Sequence, residues 1–165
     1  MEIWVIDTSS IIHIRELMPI KEQIKVYATL TQLVDSQKLV YPKQVLDELK
    51  RYTPKSTKPD RPLEWALFNE KKATRSGPQL ATLKTILAHT QVRRIFDPEK
   101  VGVGEADPHV LALAYHLSTS GEQVTVLSEE RKDRPDKLSM TTACAHLRLI
   151  CMPIDAFLAV QSIWP

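Results

Sequence analysis

The sequence predicts an α/β fold whose parallel sheet is covered by helices on both faces, and three observations point there. Short apolar runs of strand length alternate with longer segments that carry apolar residues at helical spacing. The first run, residues 3–6, is almost wholly apolar, as expected of a strand buried on both faces. The 165 residues suit a single domain, 1–165, and a chain of that size buries roughly 70% of its unfolded surface without a disulfide or metal staple. Alternation of this kind implies right-handed crossovers between parallel strands.

The elements follow in order. The strand 3–6 runs into Asp7-Thr8-Ser9-Ser10, all good helix N-caps, and residues 11–17 read as a helix. Residues 20–36 continue as a helix through Ile24, Tyr27, Leu30, Leu33 and Val34. Residues 39–41 form the second strand, and Pro42 opens a helix striped by Val45, Leu46, Leu49 and Tyr52. Helices are expected over 63–73 and 79–89, with 92–96 a short strand or a loop. HVLALAYHL, 109–117, is the clearest helix. Strands at 123–127 and 149–152 and helices at 138–146 and 153–163 complete the chain. No repeat or second domain is evident.

Composition narrows the function classes. Apolar residues make up 43% and charged residues 25%, which excludes whole-chain disorder. Only 4 glycines are present, against a Gly-rich phosphate cradle. No stretch of about 20 residues is free of charges and helix breakers, so no membrane span is expected. The N-terminus lacks the marks of a secretory signal. Cys144 and Cys151 read as free thiols in a reducing cytoplasm. The net charge of +2 hides an asymmetry: residues 50–94 hold 11 bases and 3 acids, a local charge of +8 that leaves −6 elsewhere. A basic middle on an acidic frame suits a polyanionic partner, and a solvated surface accounts for it equally. The loop RYTPKSTKPDRP reads as an exposed substrate arm or a plain surface loop.

Ligand sites of open parallel sheets lie beyond the carboxyl ends of the strands. Asp7 follows the first strand, Glu48 lies on the helix after the second, Asp107 opens the helix before the next, and Glu129 and Glu130 follow that strand directly. Each has an ordinary reading: Asp7 and Asp107 as helix caps, Glu48 as a surface acid, Glu129 and Glu130 as solvated loop acids. Together they bring carboxylates to one edge. Two unit charges about 5 Å apart repel by about 3 kcal/mol at an effective dielectric near 20, so such a cluster calls for a cation. All-oxygen ligands select Mg²⁺ or Mn²⁺, and acids for metal beside bases for phosphate suggest phosphodiester hydrolysis.

Four motifs in order resemble the PIN-domain endoribonucleases, and in size and layout the VapC-like toxins. They are WVIDTSSII with Asp7 and Ser9, YPKQVLDELKR with Glu48, GEADPHVLALA with Asp107, and VTVLSEER with Ser128 and Glu130. LRLICMPIDAFL matches the last strand and helix. The departure is Glu130, where the family has Asp. The resemblance implies a three-layer α/β/α sandwich with a mostly parallel central sheet and a cytoplasmic Mg²⁺- or Mn²⁺-dependent ribonuclease that cuts single-stranded RNA. It implies Asp7 and Asp107 as direct metal ligands, Glu48 on metal or its water, and Glu130 supporting a second metal or water. Ser9 and Ser128 would bond the carboxylates or water, Glu105 is a lesser candidate, and Lys50, Arg51 and Arg131 would meet the RNA backbone. A small antitoxin and a homodimer come with the toxin reading.

Other site chemistries fit less well. A haloacid-dehalogenase-like phosphatase wants a second Asp where Ser9 stands, and a receiver domain wants an acidic pair and a late Lys. Gly102-Val103-Gly104 is misplaced for a dinucleotide binder. His109 and His116, like Cys144, His146 and Cys151, lack zinc spacing. A non-catalytic PIN-like module that binds RNA or protein stays open, as does an RNA-processing nuclease outside toxin–antitoxin systems.

Overall fold

A computed structural model describes residues 1–53, 60–75, 79–100 and 104–163. Lys55, Lys58, Gly102 and Val103 therefore lie outside the described residues, as does most of the loop read as a substrate arm.

Four strands pair in parallel. β1 (Glu2–Ile6) and β3 (Gln123–Leu127) are the longest, β2 (Leu39–Val40) flanks β1, and β4 (Ile150–Met152) flanks β3. The order β2-β1-β3-β4 means that the chain leaves β1 toward one edge and returns to its other side, so the topology reverses between β1 and β3. β1 and β3 stay apolar because both faces are covered: Val5, Ile6, Val126 and Leu127 are fully buried. Gly121 turns the chain into β3 at a φ of +97°, a left-handed conformation that side chains disfavour.

Helices cover both faces. α1 (Thr8–Leu17) packs on α2 (Ile20–Asp35), α3 (Lys43–Tyr52), α4 (Arg61–Ala73) and α8 (Ile154–Val160), and α4 packs on α2 and α3. α5 (Gln79–Ala88), α6 (Asp107–Thr119) and α7 (Met140–His146) form a second group, with α6 lying on β1 and β3. The α/β sandwich expected from the alternation is the observed architecture. One apolar cluster runs through it, and the Trp4 and Phe157 rings meet edge-on at 5.2 Å to tie β1 to α8.

Three local expectations need correction. Residues 92–96 form neither a strand nor a plain loop but a 3₁₀ turn over Arg93–Ile95, where short-range bonds such as Ile95 N–H to the Val92 carbonyl win over pairing. The helix expected from 138 begins at Met140, because Ser139 is its N-cap and accepts the Thr142 amide. Pro42 is the N-cap of α3 rather than its first helical residue.

Candidate active site

Strand register builds the centre of the site. Ile6 pairs with Leu127, so the next residues, Asp7 and Ser128, emerge side by side at the carboxyl edge between β1 and β3. This is the topological switch point, where such sheets hold ligands. The Asp7 amide extends the ladder to the Leu127 carbonyl, and the Ser128 amide to that of Met152. Backbone pairing thus fixes both residues before any side-chain interaction.

Asp7 occupies the N-cap position of α1 but makes no capping bond with its side chain. Instead Ser9 and Ser128 donate to its Oδ2 at 2.9 and 2.8 Å, and its Oδ1 is buried with no hydrogen-bond partner among the described residues. Burial pushes the Asp7 carboxyl well up, the Asp107 and Glu130 carboxylates add to that, and the two serine hydroxyls only partly oppose it. An acid held in that condition favours either a proton or a cation.

Asp107 is the first residue of α6, with Ala106 as the cap, so its carboxylate is not consumed in capping. The positive end of the helix macrodipole lies beside it. Glu48 reaches across from the last turns of α3 and accepts the Ala106 amide at 3.1 Å, which places its buried carboxylate one residue from Asp107. Glu130 extends from the β3 edge. Its carboxyl is raised by burial and by Asp107, and pulled back by the neighbouring ammonium of Lys137.

Lys137 is the residue that the sequence pattern does not reveal. Its side chain is 6% exposed, and its Nζ lies 2.5 Å from Asp107 Oδ2 and 2.8 Å from Glu130 Oε2. Burial alone would lower an ammonium's pKa, but the two carboxylates reverse that and hold Lys137 charged. In sequence it is one base in the polar run SEERKDRPDK, with nothing to separate it from solvated neighbours.

The remaining candidates divide. Ser9, besides serving Asp7, accepts the Glu129 amide, and Ser128 accepts that of Glu130, so the two hydroxyls join the β1 and β3 edges. Glu105 takes the Asp97 amide on both carboxylate oxygens, at 2.9 and 3.1 Å, which clamps the 97 segment, and it lines a neighbouring cleft together with Asp97 and Lys100. Glu129 bonds Ser10 and the Ile154 amide at the start of α8. Arg131 lines an open cleft of about 540 Å³ beside Glu130 and Lys137, together with Lys100, Lys132 and Arg134, three bases that carry no motif of their own. Arg51 instead donates to the Gly104 carbonyl, and Lys50 is exposed on α3.

Residues 4–163 match the profile of DUF4411, described as a domain of unknown function. The chain belongs to the DUF4411 family. No curated protein and no solved structure matches it. The DUF4411 match covers every acid of the site, from Asp7 to Glu130.

The donor chemistry suits a hard divalent ion: Asp7, Asp107, Glu48 and Glu130 offer only oxygen, and one buried oxygen of Asp7 lacks a partner. Among the described residues, no three Asp, Glu, His or Cys side chains are already gathered at metal-ligating distances. The pocket is drawn in around Lys137, which takes one oxygen each from Asp107 and Glu130.

Proposed function

We propose that this DUF4411 protein is a metal-dependent endoribonuclease that hydrolyses phosphodiester bonds in single-stranded RNA. The observation that carries the reading is Asp7: a buried carboxylate at the sheet's switch point, pushed toward neutrality by burial and by Asp107 and Glu130, with an oxygen left unbonded. A structural acid at a helix start would cap that helix, and Asp7 does not. The four-motif resemblance to PIN-domain nucleases falls on the same residues.

Asp7 and Asp107 would hold Mg²⁺ or Mn²⁺, with Glu48 beside them. When bound, the ion would lower the pKa of a water and shield charge building on a phosphoryl oxygen. The chain's own residues do the rest. Ser9 and Ser128 orient the Asp7 carboxylate through Oδ2 and leave Oδ1 for a ligand. Glu48 holds the start of α6 in place through the Ala106 amide and so positions Asp107. Arg131 and Lys132 line the cleft beside the acids, where they can pair with phosphates on either side of the scissile bond. An antitoxin partner and a homodimer rest on the resemblance alone.

The test incubates labelled single-stranded RNA with the wild type and with Asp7→Asn, in Mg²⁺, in Mn²⁺ and in EDTA. The reading expects cleavage that EDTA abolishes and that Asp7→Asn loses. RNA left intact by the wild type in both metals, with binding retained, would replace it with a non-catalytic binding module.

A further inference from the structure

We propose that the Lys137 ammonium is a second cation of the site, built into the chain, so that the pocket takes one divalent ion rather than two. This rests on the metal-dependent reading above and deepens it.

Lys137 is held in place by its surroundings. The turn that carries it is closed by the Arg134 amide on the Lys137 carbonyl at 2.8 Å and the Lys137 amide on the Arg134 carbonyl at 3.3 Å. Asp133 accepts the Ser139 amide at 2.8 Å on one flank. On the other side the turn is tied to the 94–97 segment. There Arg134 bonds Asp97 Oδ2 at 2.7 Å, Arg94 bonds the Pro135 carbonyl at 2.6 Å, and the Leu138 amide bonds the Arg94 carbonyl at 2.8 Å. A lysine arriving from so many fixed points gives up little further freedom when its ammonium settles between two carboxylates.

Its position divides the acids. Asp107 Oδ2 and Glu130 Oε2 are committed to Nζ, whereas Asp7 Oδ1 has no partner among the described residues. A divalent ion is therefore best accommodated on the Asp7 side, shared with the other oxygen of Asp107. Charge balance agrees. The ammonium of Lys100 also faces Glu48 and Asp107, so four carboxylates with two ammoniums and one dication are neutral, and a second dication would leave a surplus of two positive charges. Lys137 also faces the cleft lined by Arg131 and Lys132, where its N–H groups can meet a phosphate oxygen as charge develops on it.

Mn²⁺ binding, followed by the electron paramagnetic resonance signal of free ion and by calorimetry, tests this without any assay of cleavage. Wild type is expected to bind one Mn²⁺ per chain, Lys137→Met two, and Lys137→Arg one. One ion in both wild type and Lys137→Met, or two in wild type, overturns the lysine's role while the metal reading stands. No ion in wild type but one in Lys137→Met makes the lysine the only cation and overturns the one-ion site. No binding by any of them overturns the metal reading itself. If Lys137→Met does not fold, Glu130→Gln decides, because Glu130 is committed to the lysine. At saturating Mn²⁺ a folded Glu130→Gln is expected still to bind one ion per chain, at an affinity lowered as for a neighbour that does not touch the metal, and loss of all binding would put Glu130 on the ion and overturn the proposal.

Discussion

Replacing Asp7 with Asn is expected to make the metal-free protein more stable at neutral pH. Asp107 and Glu130 each carry a negative charge toward Asp7, and Lys137 between them offsets one of the two. The net field on Asp7 is that of about one carboxylate, worth about 3 kcal/mol at about 6 Å and an effective dielectric of about 20. Asn keeps an oxygen for Ser9 and Ser128, but it sets an amide where Oδ1 had no partner, at a cost of about 1 kcal/mol. The neighbouring charges alone thus favour Asn by about 2 kcal/mol, or about 4–8 °C in Tm for a chain of this size, and relief of burial, the largest cause of the raised carboxyl, adds to it.

The sign against pH follows from the raised carboxyl of Asp7. A group with a higher pKa in the folded state binds its proton more tightly there, so stability is greatest below the unfolded pKa and is lost as pH rises through the folded one. Asn never ionises, so its advantage should be small at about pH 4 and larger at about pH 7.5. Thermal and urea unfolding in EDTA at both pH values measure it. A variant less stable than wild type at neutral pH, or a gain that does not change with pH, would refute the electrostatic account of the pocket.

Two further predictions concern the walls of the site. Glu48→Gln retains an acceptor for the Ala106 amide and should alter stability little, whereas Glu48→Ala strands a buried N–H and should cost about 1–3 kcal/mol in urea unfolding. Arg131→Ala and Lys132→Ala should each weaken RNA binding and flatten its logarithmic salt dependence by about 0.7 for each phosphate no longer neutralised, read by fluorescence anisotropy across a salt series.

Much of this architecture is legible in the sequence because it depends on local pattern. The apolar run of β1 and the helical stripe of α6 announce themselves, and Asp7, Glu48, Asp107 and Glu130 can be placed at the sheet edge from their positions after or near strands. Lys137 cannot. Its burial depends on a turn between residues 134 and 137 being anchored to Arg94 and Asp97, far away in the chain, and no periodicity marks such pairings. Glu105 is ambiguous for the same reason. Only the structure shows that both of its oxygens are spent on the Asp97 amide. The 3₁₀ turn at Arg93–Ile95 is illegible because a few mixed residues encode strand and turn about equally.

The salt bridge of Lys137 also bears on how the protein comes into being. A pocket of bare carboxylates would oppose closure of the sheet until an ion arrived, tying assembly of the chain to the supply of metal. Here the neutralising charge travels with the polypeptide and reaches Asp107 and Glu130 as soon as the turn forms. Under the metal-dependent reading, biogenesis and loading are thereby separate events: the newly made chain would complete its fold without metal and take up an ion afterwards.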